Sequence, residues 1–200
     1  MKKKGILICI LLLLTGCTAV RIDTTSIDST VDIILSKNNN LYNRMGIGYK
    51  YYIPKGVTYI DSSEANDKLY SNGVYYYLYL DEVSYYYKTS MEYKEDPSKY
   101  YSKKIRNGKK IGYLQITDQK NGKYWIEFVY NYAKIEAMVE KDEIKKTILN
   151  SSYILSTIKY NKNIIKLSVD GTDSKSKTKK YDEFTSKKET NNFLIYEEND

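Results

Sequence analysis

Leu69-Tyr70-Ser71-Asn72-Gly73-Val74-Tyr75-Tyr76-Tyr77-Leu78-Tyr79-Leu80 carries the pattern of two strands joined by a tight turn. Asn-Gly between two runs of apolar and aromatic residues is a two-residue hairpin turn, because both central positions need positive φ and these two residues tolerate it. The sequence therefore predicts antiparallel strands over residues 69–71 and 74–80. Side chains alternate along a strand, so Val74, Tyr76, Leu78 and Leu80 share one face and Tyr75, Tyr77 and Tyr79 the other. Asp81-Glu82 reads as a second tight link, into a strand over 83–89 that sets Leu80 beside Val83, Leu78 near Tyr85 and Tyr76 near Tyr87. In that register Tyr86 joins Tyr75 and Tyr77 on the solvent side, and these three are the candidate ligand-binding residues.

Residues 111–117 and 123–129 flank a second Asn-Gly pair, Asn121-Gly122, and form a further hairpin. Tyr124, Ile126, Phe128 and Tyr130 alternate with Trp125, Glu127 and Val129, so one face is apolar or aromatic and the other mixed. The parity changes at Asn131, which marks a turn or bulge before a strand over 132–139. Upstream, residues 46–53 read as a strand stopped by Pro54, and Lys55-Gly56 turns the chain into an extended run over 57–60. The polar segment 91–106 carries Pro97 and reads as a loop with one helical turn over 98–101. Towards both ends the apolar period changes from two to 3.6. Ile27, Val31, Ile34 and Leu35 define a helix over 27–37, opened by Ser26 or Ser29 and closed by Asn38-Asn39-Asn40. Ile144, Ile148, Leu155 and Ile158 define another, capped by Asp142. It ends either at Ser151-Ser152, with a last strand over 153–160, or further on. The fold class is α+β, an antiparallel sheet covered by an N-terminal and a C-terminal helix.

The 200 residues, 42% hydrophobic and 28% charged, suffice for one domain. With no His and two Cys, a His-based triad, a His metal site, a zinc cluster and a CxxC redox pair are excluded, and no metal or cofactor is expected. Met1-Lys2-Lys3-Lys4 followed by the apolar run 6–14 has the form of a secretory signal, too short to span a bilayer. Leu14-Thr15-Gly16-Cys17 at its end resembles the bacterial lipobox. That resemblance implies cleavage before Cys17, thioether lipidation of Cys17, and tethering to the outer face of a membrane through acyl chains. Cleavage removes Lys2, Lys3 and Lys4, three of the 32 basic residues, and lowers the formal charge from +7 to +4. The layout is then a signal peptide over 1–16, a lipidated spacer over 17–25, an α+β domain over 26–160 and a partly ordered extension over 161–200. The extension holds a lysine run over 175–180 and an apolar Phe193-Leu194-Ile195-Tyr196 segment.

Tyr49-Lys50-Tyr51-Tyr52-Ile53-Pro54-Lys55-Gly56-Val57, together with the closing helix near Ile144 to Ile158, is similar to the Mog1/PsbP-like sandwich. In that family a strand ends in Pro before a turn. Here Val57 stands where the family has Trp. The resemblance implies a fold whose members include binding and assembly factors without catalysis.

The carboxylates Asp81, Glu82, Glu92, Glu95, Asp96, Asp142 and Glu143 are the acid–base candidates, and their spacing reads as loops, turns and caps rather than a catalytic pair. Gly46-x-Gly48 lacks the third Gly and the helix of a dinucleotide site, and no SxxK or GxSxG setting is present. The chain is therefore expected to be a non-enzymatic, lipid-anchored extracytoplasmic protein with a binding or assembly role. Its partners are the membrane through Cys17, and an envelope protein or a cell-wall glycan or anionic polymer met by a tyrosine face. Nucleic acid is not expected, and a carboxylate-dependent hydrolase is the lesser alternative.

Overall fold

The structure is a computed structural model and describes residues 27–63 and 66–171. The expected signal peptide, Cys17 and its expected spacer, the lysine run 175–180 and the Phe193 segment lie outside the described residues. The described residues are α+β, with two antiparallel sheets and four helices.

The large sheet has seven strands: β3 (Thr58–Ser63), β4 (Asn66–Ser71), β5 (Val74–Leu80), β6 (Tyr101–Asn107), β7 (Lys110–Asp118), β8 (Lys123–Tyr130) and β9 (Ala133–Glu140). Their order is β3-β4-β5-β9-β8-β7-β6. The opening hairpin forms as expected: Ser71 pairs with Val74, and Asn72 and Gly73 sit at φ 51° and 77°. The parity change at Asn131 is a second two-residue turn, with Asn131 and Tyr132 at φ 50° and 66° and Tyr130 opposite Ala133.

The predicted 83–89 strand is a helix instead. Asp81 caps α2 (Glu82–Tyr87), its Oδ1 accepting from the Ser84 amide at 2.7 Å, and Lys88 closes the helix in the left-handed region. The physical reason is local: Asp accepts readily from the third following amide, whereas Asp-Glu does not favour the paired positive φ of a tight hairpin. The neighbours of β5 are accordingly β4 and β9, and no Leu78–Tyr85 or Tyr76–Tyr87 pairing exists.

Other expectations are corrected in detail. Residues 46–53 are not one strand. β1 (Arg44–Gly46) folds back on β2 (Tyr49–Tyr51) through Ile47-Gly48, with Gly48 at φ 86°. The 98–101 helical turn is absent, and edge strand β6 starts at Tyr101 and turns into β7 through Gly108 at φ 59°. Asp142 lies within a 3-10 turn, Lys141–Glu143, and makes no cap.

Helix α1 (Ile27–Ser36) buries Val31, Ile34 and Leu35. Helix α3 (Ile144–Thr157) runs through Ser151-Ser152, both buried, so only the short β10 (Lys159–Tyr160) follows it. The two helices pack together, and α3 lies on β8 and β9. Beneath them the inward face of the sheet is apolar: Leu69, Leu78, Leu114, Ile116, Ile126, Phe128, Ile135 and Ala137 are all fully buried. Gly112 belongs to this packing, since a Cβ there would collide with the Val129 carbonyl oxygen. β1, β2 and β10 form a small second sheet, joined to the first where buried Asp67 accepts from Tyr51 (2.6 Å) and Tyr49 (3.3 Å). Helix α4 (Lys162–Gly171) closes the described chain and seats Ile165 against Gly48.

Candidate functional site

The second face of the large sheet has a different composition. Cross-strand register places Lys68, Tyr77, Glu136, Glu127, Gln115 and Ser102 in one line across β4, β5, β9, β8, β7 and β6. The adjacent line holds Asn66, Tyr79, Lys134, Val129, Tyr113 and Lys104. At the centre two glutamates stand directly opposite one another, and both are buried, 5% and 8% exposed. Like charges on opposed strand positions destabilise a sheet unless something compensates them.

Compensation comes from identifiable partners. Lys134 Nζ donates to Glu136 Oε1 at 2.8 Å, and its ammonium lies 4.8 Å from the Tyr79 ring centre. The Tyr113 hydroxyl donates to Glu127 Oε1. Burial, and then the charges of Glu136 and Glu127 respectively, raise the Tyr79 and Tyr113 hydroxyls well above the ordinary phenol range. Both hydroxyls therefore remain protonated donors at every physiological pH.

A second layer fixes Tyr113. The Tyr93 ring, from the segment between α2 and β6, stacks on it at 4.0 Å with an interplanar angle of 2°. The Tyr93 hydroxyl shares a 2.7 Å hydrogen bond with Ser102 Oγ and donates to Gln115 Oε1 at 3.0 Å. Around this polar centre, Tyr75, Tyr79 and Trp125 are half-buried. Lys68 lies over Tyr75 at 4.3 Å, and Tyr70 packs against Tyr75 at 5.0 Å. At the centre of the patch Lys134 and Glu136 offset each other, while Lys68 and Lys104 stand on either side of it.

Of the three tyrosines named from the sequence, Tyr75 and Tyr77 lie on this face and Tyr86 does not. Tyr77 is buried, while Tyr86 belongs to α2 and meets Tyr87 edge-on at 5.2 Å. None of the carboxylates named from the sequence joins the glutamate pair. Asp81 caps α2, Glu95 accepts from the Lys104 amide, Asp96 organises a turn with Ser98, and Asp142 and Glu143 form the 3-10 turn. Glu92 is exposed. Glu127 and Glu136 were missed, although each breaks the apolar run of its strand and a two-residue turn at Asn131-Tyr132 sets one opposite the other. Among the described residues no three metal-ligating side chains converge, and no helix is long and apolar enough to cross a membrane.

A separate cluster ties the far end of the sheet to the small sheet. The Asp81 amide donates to Tyr132 O at 2.9 Å, Tyr160 donates to the same oxygen at 2.6 Å, and Tyr85 stacks on Tyr160 at 4.3 Å. Burial pushes the carboxyls of Asp81 and Glu82 above their usual range.

No protein-family model matches the chain, and no curated protein matches it in sequence.

Proposed function

We propose that this is a lipid-anchored extracytoplasmic protein, tethered through Cys17, that binds a neutral polyhydroxylated ligand such as a wall glycan on the second face of its large sheet, without cleaving it. The observation that carries the reading is the polar line from Lys68 to Ser102, with Glu127 and Glu136 at its centre and the half-buried rings of Tyr75, Tyr79 and Trp125 around it. Sugars present hydroxyls that carboxylates and amides hold, and C–H faces that lie flat on aromatic rings. Tyr and Trp supply such surface at low entropic cost. The central charges are already paired, Lys134 with Glu136, which favours a neutral ligand there over an anionic polymer. Replacing a buried charged network by apolar residues is often neutral or stabilising, so its presence here fits recognition better than stability. Tyr86 drops out of the binding set, and Tyr79 and Trp125 enter it beside Tyr75, with Tyr77 in the polar line.

The finer fold reading is a Mog1/PsbP-like sandwich, supported by β2 ending ahead of Pro54-Lys55-Gly56 and by the closing helix α3. One observation favours a second functional reading, glycoside hydrolysis: two glutamates occupy directly opposed positions on neighbouring strands, and such enzymes work with a pair of carboxyl groups. Both are already engaged by Tyr113 and Lys134, which favours binding.

The test is retention on purified cell wall stripped of anionic polymer. Wild type and Tyr86→Ala should be retained, and Tyr79→Ala and Trp125→Ala should be lost. Release of soluble sugars by wild type, abolished in Glu136→Gln, would replace binding by hydrolysis. Fatty-acid labelling of the wild type but not of Cys17→Ala tests the tether.

A further inference from the structure

The small sheet carries an outward face that the proposed glycan site does not use. Met45, Lys50 and Lys159 are consecutive cross-strand partners on β1, β2 and β10, so their side chains share one face. The opposite face of the same strands turns Tyr49 and Tyr51 inward to Asp67. Beside Met45 the hairpin tip exposes Ile47, and α4, whose Ile165 is seated on Gly48, exposes Leu167, Ile164, Lys162 and Lys166. Ile47 and Leu167 are 78% and 76% exposed, and Met45 66%, high values for large aliphatic side chains.

Lysines outnumber acids around these side chains, although the Glu82 carboxylate lies against Gly48. Lys50 lies over the Tyr42 ring at 3.9 Å, and Lys159 donates to Asn40. Lys110 stands near enough to Lys159, and Lys88 to Lys162, for each pair to feel mutual repulsion. Burial first, and then that repulsion, hold the Lys110 and Lys88 ammoniums below their usual range. None of Lys50, Lys110, Lys159, Lys162 or Lys166 meets a carboxylate within ion-pair distance among the described residues. Exposed aliphatics set among uncompensated lysines have the composition of a surface that inserts apolar groups at a headgroup boundary and attracts anionic lipid.

We infer that the outer face of the small sheet, together with α4, docks on an anionic lipid bilayer, as a contact additional to the tether. Aliphatic tips at Ile47, Met45 and Leu167 enter the interface while Lys50, Lys159, Lys162 and Lys166 meet headgroup phosphates. The ten-residue span from Cys17 to Ile27 reaches at most about 35 Å, longer than the roughly 27 Å of an eight-residue strand, so the tether permits this orientation.

The experiment uses the mature protein reconstituted through its own acyl chains. Ile47→Cys is labelled with an environment-sensitive fluorophore in vesicles of phosphatidylcholine with one-third phosphatidylglycerol. Asn72→Cys, at the opposite end of the large sheet, is the control. The chain has only Cys9 and Cys17, so dye uptake by the wild type reports the state of Cys17 and separates failure of the tether from failure of this contact. The expected result is a blue shift and quenching by nitroxide lipid at position 47. Both should be absent at position 72, in pure phosphatidylcholine, and after Lys159→Glu with Lys162→Glu. A label at 47 that stays water-exposed in the anionic vesicles overturns the inference. So does one shielded equally in pure phosphatidylcholine, which would assign the face to another protein segment or a second copy.

Discussion

The two faces of the seven-stranded sheet are built from alternate residues of the same strands, yet different physics holds them. Towards α1 and α3, β5, β9, β8 and β7 present Leu78, Ile135, Phe128 and Leu114 in one continuous cross-strand row, all fully buried. One residue further along each strand, the row reads Tyr77, Glu136, Glu127 and Gln115, or Tyr79, Lys134, Val129 and Tyr113. The first row is stabilised by removing apolar area from water, which is tolerant of detail. In the second, each charge must find a partner, so the loss of one atom has a consequence the first face never shows.

The largest expected effect falls on the second face. Lys134→Met leaves Glu136 buried without its ammonium and should cost about 3–5 kcal/mol, whereas Lys134→Met combined with Glu136→Leu should recover most of the loss. Denaturant unfolding of the two variants decides this, and additive losses would break the comparison. Leu78→Ala on the helix-covered face should cost about 2–5 kcal/mol through the cavity it leaves. Tyr75→Ala, at a half-buried site on the other face, should cost well under half of that by the same measurement.

The cap at the end of β5 gives a smaller, pH-dependent effect. The folded chain holds the proton of buried Asp81 more tightly than the unfolded chain does, because burial raises the folded value above 3.8. Stability from this group therefore rises as pH falls through the folded value towards 3.8, and at neutral pH its charge is a cost. Asp81→Asn should match or exceed wild-type stability at neutral pH, and its advantage should shrink on acidification; thermal melts across that range check the sign. The smallest effect is at Asp28. Its carboxyl is lowered chiefly by a 2.7 Å hydrogen bond from Lys103, and also by the Tyr101 hydroxyl. The sign is opposite: this contribution is present above 3.8 and lost as pH falls through the folded value. The pair is exposed, so Asp28→Asn should cost about 1 kcal/mol or less, with the difference fading in high salt.

What could be read from the sequence follows the range of the interactions involved. The Asn72-Gly73 hairpin, the α1 stripe and the parity change at Asn131 are set within a few residues, and local chemistry specifies them. Asp81-Glu82 was ambiguous at that range, since Asp suits a turn and a helix cap equally, and the 83–89 run of Tyr has strand propensity that the cap overrides. The glutamate pair was hidden for another reason. Residues 127 and 136 become neighbours only through the β8–β9 register, and a charged residue on the outward side of a strand ordinarily signals nothing beyond solvent. The polar line across six strands depends on five registers at once, and no spacing in the chain displays it.

Trp125 offers the most direct measurement on the proposed binding face, because it is the chain's only tryptophan and lies on that face opposite Met138. Titration with soluble fragments of wall glycan, followed by intrinsic emission, should give a saturable shift or quench that disappears in Tyr79→Ala. Glycan retained by the protein with Trp125 emission unchanged would place the ligand elsewhere and contradict the assignment of the second face as its site.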